Sequence, residues 1–515
     1  MTVEARQTRA GRRTVSSSSD VLDVINDLER RFPVQRWRAG DIDLWPVYRV
    51  RVYMNVTQAL LSSQPTTPSY MVRRARIARR MLRALWRPRL DAWRDRGMQA
   101  DLTARAGAVC LSDGISFTLL DTKWYDRVMD PVIHALGERG IQTLKLTPNV
   151  ETLVPRAVPS RFIQPDIDRE LLLAARDPIK PDLPSFDEFR AAAREHFGEH
   201  VQPGEWLDMQ AKRLNSLANW FGTILASTLP RMALVNNYYS IEGFAFVQAA
   251  HRAGVPSADL QHGLQGPLHG AYGRWSDVPA EGYSTLPDEF WVWTDEEAQA
   301  IDSWRGSRQR HIPRITGNLW RERWFDDGDP LVSHYLLRAR EARGPDGTIQ
   351  ALVSLSWGLA DEETDKLIRA AKRCGPSVSW WWRLHPVEAK NWKLFAARLE
   401  SEGLDPKTVQ AATELPLYAI VRSADVTLAH SSTVMQEAAV FGVPSVITSD
   451  YGVELHANLL ESGMALLATT DDAIARAVSE LGRRPRRVAG GEPRPNGLSQ
   501  AVDRWLTAGA TRRGS

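Results

Sequence analysis

Three short segments hold residue types that could handle a phosphorylated ligand. Ser431-Ser432-Thr433 follows an apolar run ending at Ala429 and opens a helical pattern that closes at Gly442, before Pro444. Free amides at a helix start, flanked by three hydroxyls, can cradle phosphate without a metal, although the same residues can equally serve as plain caps. Glu437, further along that helix, faces the same mouth, where a carboxylate accepts hydrogen bonds from ribose hydroxyls or is merely solvated. Upstream, Arg383-Leu384-His385-Pro386 closes a run containing three tryptophans. Pro386 stops the strand and fixes His385 at the sheet edge, where it either donates to a phosphate oxygen or satisfies a backbone carbonyl. Arg383 lies on the same side of the strand and could pair with the same phosphate. Ser356 and Gly358, in the loop after Ile349–Ser354, complete the expected phosphate side.

A second group lies in the other half of the chain. Glu242-Gly243 opens a helix after the run Met232–Asn236, so Glu242 stands near a strand end, in a position where a carboxylate also complements the helix dipole. Gln261-His262-Gly263 ends the next strand, and a glycine-rich loop carrying His269 and Tyr272 follows. Gln261 and His269 are the expected acceptor contacts.

These segments need a scaffold that brings strand ends together. From residue 105 onward short apolar runs alternate with helical patterns, as in βαβ units. One series covers 105–343 and a second covers 344–482, beginning after the breaker Gly344-Pro345-Asp346-Gly347. Two such series predict an α/β protein with two facing Rossmann-like parallel sheets and ligand in the cleft between them. Residues 1–19 read as a polar tail and 20–104 as a helical region. Asp20 is the expected cap of the first helix, and 483–515 is expected to pack back on the body. The proline-rich stretch 147–205 reads as a helical insertion.

On the strength of the Ser-Ser helix containing Glu-Ala, the following Gly-Val-Pro and the upstream Arg-Leu-His-Pro, residues 230–480 resemble the GT-B glycosyltransferases. Within them the match is to polysialyltransferases, capsule and lipopolysaccharide 3-deoxy-octulosonate transferases, and teichoic acid glycerophosphotransferases. The resemblance implies a metal-independent transferase that moves a sugar from a nucleotide donor, expected to be CMP-linked, to a surface polysaccharide or lipid-linked glycan. It implies that Arg383, His385, Ser431, Ser432 and Thr433 hold the donor phosphate. It also implies a general base at Glu242, in a partial match because Ile241 stands where those families carry a second acid. His262 resembles the histidine-glycine motif of the glycerophosphotransferases and is expected to orient the base or touch the acceptor. Transfer of a polyol phosphate from CDP-glycerol, sugar-nucleotide epimerisation and a non-catalytic capsule-assembly scaffold are the alternatives.

Composition removes other classes. With Lys and Arg at 65, Asp and Glu at 62 and 43% hydrophobic residues, the chain is not a disordered one. Two cysteines offer no disulfide framework. No Gly-x-Gly-x-x-Gly or Gly-Lys-Ser/Thr motif and no suitably placed Asp-x-Asp occurs, so no cofactor and no metal are expected. Apolar runs fall far short of the ~20 residues that span a bilayer, and the first 20 residues lack a signal-like stretch, which predicts a cytoplasmic protein. The net charge of +3 hides ten arginines against two aspartates in 73–96. An arginine-rich helix over 70–97 is expected to meet anionic headgroups at the inner face of the membrane, in preference to a solvated or interdomain helix and, last, to nucleic-acid binding, so no nucleic-acid partner is expected. Nineteen tryptophans suit saccharide sites, but Trp380–Trp382 alternate on a strand and are at least partly core.

Overall fold

The structure is a computed structural model that describes residues 15–61, 102, 104–149, 153–356, 358–386, 388–486 and 497–511. The expected helix at 70–97 lies outside the described residues, as does most of the 1–19 tail.

Seven strands form the first sheet: β1 (Ala108–Leu111), β2 (Thr143–Thr147), β3 (Arg161–Phe162), β4 (Met232–Val235), β5 (Ser257–Leu260), β6 (Glu289–Val292) and β7 (Ile312–Ile315). All pair in parallel, in the order β7-β6-β5-β4-β1-β2-β3. The central strands β1, β4, β5 and β6 are buried at every position, which is why β1 and β4 read as unbroken apolar runs, whereas β5 and β6 also bury Ser257, Asp259 and Glu289. Strand order reverses between β1 and β4, and ligands of such sheets bind beyond the carboxyl ends at that switch.

The second sheet contains β8 (Ile349–Ser354), β9 (Val378–Arg383), β10 (Val426–Ala429), β11 (Ser445–Ile447) and β12 (Ala465–Leu467). It is also wholly parallel, in the order β9-β8-β10-β11-β12, with its switch between β8 and β10. Ser354 pairs with both Arg383 and Ala429, so the three loops singled out in this half leave the sheet at one level. The two facing doubly wound sheets are the expected GT-B arrangement.

The helices Ser18–Arg31 and Trp45–Leu61 do not form a separate unit. Val21, Leu28, Trp45 and Tyr48 share one hydrophobic core with Phe221, Phe244 and Phe290 of the first sheet and its helices. The cap of the first helix is Ser17, which accepts from the Asp20 amide at 3.0 Å, and Asp20 is a first-turn acid. At the core of this region Arg49 pairs with Glu29 at 2.9 Å, both fully buried, and donates to the carbonyls of Gly270, Gly273 and Arg274. The N-terminal helices therefore tie down the glycine-rich loop after His262.

The chain crosses to the second sheet before the Gly344-Pro345 breaker. Trp320, Trp324 and Tyr335 already pack with Leu352, Trp381 and Tyr418. It crosses back at the end: in the helix Gly497–Thr511, Leu498, Val502 and Trp505 lie against Cys110 and Trp291 of the first sheet. Stretch 147–205 contributes β3 and the helices Gln164–Leu173 and Phe186–Phe197, which lead into the 25-residue helix Gly204–Thr228.

Candidate active site

The two switch points face each other across a cavity of about 600 Å³. From the first half His262, His269, Tyr239 and Arg321 line it, and from the second half Ser431, Thr433 and Glu437. A narrower recess shares His262, Trp293 and Glu437 with this cavity and reaches Arg127, Gln261 and Tyr418.

His262 follows β5. Its Nε2 lies 3.2 Å from the Tyr239 hydroxyl, while Nδ1 is buried without a well-formed hydrogen bond. Burial pulls its pKa below the ordinary histidine value, and the Asp113 carboxylate and the Leu260 backbone oppose this. A neutral imidazole with a carboxylate close by is the electrostatic arrangement of a general base, because the carboxylate stabilises the imidazolium that proton transfer creates.

Asp113 sits just past β1, at the switch itself. Its Oδ1 accepts from the amides of Ile115 (2.8 Å) and Ser116 (3.3 Å), and its own amide donates to Asn236 Oδ1 at 2.7 Å. Burial raises its pKa, His262 lowers it, and Asp126 pushes it up again. Nothing in Ser112-Asp113-Gly114 distinguishes it from a turn in the sequence. The available signal was its place at the end of the first strand of a βαβ series.

Beneath this loop lies a buried ion cluster. Lys145 on β2 contacts Asp126 at 3.0 Å and also Asp130, and all three side chains are 0–1% exposed. Burial alone would raise the Asp126 pKa, but Lys145 and the Ser112 hydroxyl at 2.6 Å bring it below the usual value. Asp130 is pushed up to about 6, burial outweighing Lys145. The cluster anchors the hairpin Phe117–Leu120/Lys123–Asp126, whose next residue, Arg127, reaches the recess.

On the opposite face, Glu437 Oε1 accepts from the Tyr418 hydroxyl at 2.6 Å. Its pKa is raised by burial, against the Tyr418 hydrogen bond and the arginines Arg127, Arg321 and Arg383. Two of those arginines belong to the first half of the chain, so charges from both halves act on this carboxylate. The helix carrying it runs Val434–Val440, shorter than expected, because Ser432 Oγ accepts from the Val434 amide at 3.3 Å and Gly442 ends it. Ser432 and Ser431 in turn touch Ser354 (3.3 Å) and Ser356 (3.5 Å) across the switch, and Ser431 and Thr433 line the cavity.

Several expected site residues are engaged elsewhere. Arg383 Nη1 donates to the carbonyls of Ala412 (2.5 Å) and Leu415 (2.9 Å), and burial brings its pKa down to about 10. Neither Arg383 nor His385 lines the cavity; His385 is half-buried beyond β9 with its pKa lowered by burial. Gln261, 2% exposed, accepts from the Trp293 amide at 2.7 Å and donates to the Gly263 carbonyl at 2.9 Å and to Glu297, so its amide builds the loop. Glu242 is half-buried in the first turn of Ile241–Arg252 and is not part of the cavity wall. Gly358 has a φ of 69° on an exposed loop away from the cavity. Among the described residues no group of three or more His, Cys, Asp or Glu is placed to hold a metal ion, and no helix is long and apolar enough to cross a membrane.

No family model matches the chain, and no curated protein matches it. Among solved structures it is similar to UDP-GlcNAc 2-epimerase from Neisseria meningitidis bound to UDP-GlcNAc, with 13% identity, 78% of this chain and 99% of that one covered, and a TM-score of 0.45. It is also similar to the wall teichoic acid polymerase TagF (10% identity, 85% and 99% covered, TM-score 0.44). A third similar structure is the glycotransferase of kitacinnamycin (15% identity, 79% and 96% covered, TM-score 0.42). No residue role follows from likeness at this level.

Proposed function

We propose that the chain is a glycosyltransferase that moves a sugar from a nucleotide-activated donor to an acceptor hydroxyl in the cleft between its two sheets. His262 is the general base and Asp113 stabilises its protonated form. The acceptor oxygen loses its proton to His262 and forms a bond to the anomeric carbon. The bond from that carbon to the donor phosphate breaks, and its electron pair leaves with the nucleotide. Ser431 and Thr433 donate to the phosphate, Arg321 faces them from the other half, and Glu437 receives the ribose hydroxyls.

The observation that carries this reading is the shared cavity. A neutral, half-buried histidine with a nearby carboxylate lies across it from two hydroxyls and a glutamate at the opposing switch. Both halves of a transfer reaction thus find suitable groups on one cavity wall or the other. The base assignment departs from the resemblance, which favours Glu242, because only His262 lines the cleft. A cytidine nucleotide and a cell-surface glycan acceptor are finer expectations that rest on the resemblance alone.

The test is release of free nucleotide from a panel of CMP-, CDP-, UDP- and GDP-linked donors. One nucleotide class should be released, and His262→Ala should slow release by at least about 100-fold, the usual worth of a general base. Loss in Glu242→Ala with His262→Ala unaffected would move the base to Glu242. Product formed from the donor with no acceptor present would favour the epimerase alternative.

A further inference from the structure

The cavity wall beyond His262 has a composition that selects its occupant. Tyr53 and Met54 from the helix Trp45–Leu61, Leu264 and Leu268 from the loop after His262, and Val440 and Leu455 from the second half all line it. Apart from Tyr53, these apolar side chains are only half-buried, so they are incompletely covered where they meet the cavity. Apolar surface lining a cleft is a binding surface for apolar ligand area.

The charges point the same way. The acidic lining residues are Glu296, Glu297, Glu437 and Glu454, and among the described residues the cationic one is Arg321. His269 adds no positive charge near neutrality, since burial pushes its pKa down to about 3. With Arg321 committed to the donor phosphate, a polyanionic acceptor would find no further cationic partner among the described lining residues and would face Glu296 and Glu454. Thr57, Gln265 and Asn458 offer neutral polar groups suited to hydroxyls.

We infer that the acceptor is an uncharged amphiphile, with its reactive hydroxyl carried next to an alkyl, prenyl or aryl group, and that a polyanionic chain such as oligosialic acid or poly(glycerol phosphate) is not accepted. The inference rests on the transfer reading above, and the following experiment separates the two. Binding of octyl β-glucoside below its micelle concentration, methyl β-glucoside, a sialic acid tetramer and a glycerol phosphate oligomer is measured by calorimetry with the full chain at physiological salt. The octyl glucoside binds at least tenfold more tightly than the methyl glucoside, and neither anion binds. Met54→Asp and Leu268→Asp each weaken octyl glucoside binding at least tenfold, while a nucleotide-induced rise in melting temperature is retained, which also reports that the variants fold.

Tighter binding of either anion, equal binding of the two glucosides, no binding of the octyl glucoside, or no effect of both substitutions overturns the inference. Failure of every nucleotide to raise the melting temperature of the unsubstituted protein counts instead against the transfer reading, whatever the glucosides do.

Discussion

The Tyr239 hydroxyl and His262 Nε2 are 3.2 Å apart, and their rings meet at 34° with centroids separated by 5.8 Å. Burial holds the tyrosine well above its ordinary pKa, so it stays a neutral hydrogen-bond partner and fixes the imidazole in the cleft. Tyr239 comes from the loop after β4 and His262 from the loop after β5, so the contact depends on two adjacent strand ends.

Because burial lowers the His262 pKa, the acid limb of the kcat/KM profile should lie below pH 6.5. Asp113→Asn removes a group that favours the imidazolium, so the limb should move further down in pH while the plateau falls. Tyr239→Phe should lower kcat by about tenfold, on the order of one lost hydrogen bond, with little change in donor KM. Steady-state rates between pH 4.5 and 9 check all three.

Glu437→Gln should separate the parts of the donor. The carboxylate is expected to hold ribose, yet it also offsets the charges of Arg127, Arg321 and Arg383. Nucleoside monophosphate should bind about tenfold more weakly, whereas inorganic pyrophosphate should bind as well as before or better. Calorimetric titration of both ligands distinguishes this from general loss of the site, in which both weaken.

Lys145→Met leaves Asp126 and Asp130 buried without their cation, so it should cost about 3–5 kcal/mol, as breaking a buried ion pair does. Adding Asp126→Asn and Asp130→Asn should recover part of that. Denaturant melts of the single and triple variants measure the difference.

Acid should destabilise the fold through its histidines. His311 is fully buried; its Nε2 accepts from the Tyr283 amide at 3.0 Å and its Nδ1 donates to the Pro287 carbonyl at 2.7 Å, leaving no place for a second proton. Burial pushes His311 down to about 3 and His456 to about 4. Like His269, they take up a proton in the unfolded chain near pH 6.5 but not in the folded one, so stability is lost as pH falls below 6.5. Asp130 and Asp259, raised by burial to about 6 and about 7, act oppositely because they are protonated earlier in the folded state. Substitution isolates the histidine part: between pH 6.5 and 4.5 the melting temperature of His311→Gln should lose less than that of the unsubstituted chain, because the buried imidazole that resists protonation is gone.

The parallel strands were legible where burial on both faces produced continuous apolar runs, as in β1 and β4, or runs with Gln350 or Thr427 set among apolar residues, as in β8 and β10. The two-residue β3 and three-residue β12 were not, since pairing and not composition defines them. Helix Gly204–Thr228 opens on Pro203-Gly204, a pair that reads as a break. Within the site, Ser431, Thr433, Glu437, His262 and His269 could be found because each follows a strand end, and all five meet in one cavity. Arg383 and Gln261 have residue types that suit ligands, but carbonyls from other segments and the loop itself engage them, which no local pattern reveals. Arg321 enters the cleft from the segment where the chain crosses between sheets, and Asp113 from an ordinary-looking turn.

The most direct measurement is the melting temperature of the full chain with saturating CMP, CDP, UDP or GDP, since a ligand bound only by the folded state stabilises it by about 2.7 kcal/mol at 100 times its Kd. At least one nucleotide should raise it, and Glu437→Gln should diminish that rise; a UDP-only response would remove the cytidine expectation while leaving transfer intact. No shift with any of the four would contradict a nucleotide-dependent transferase.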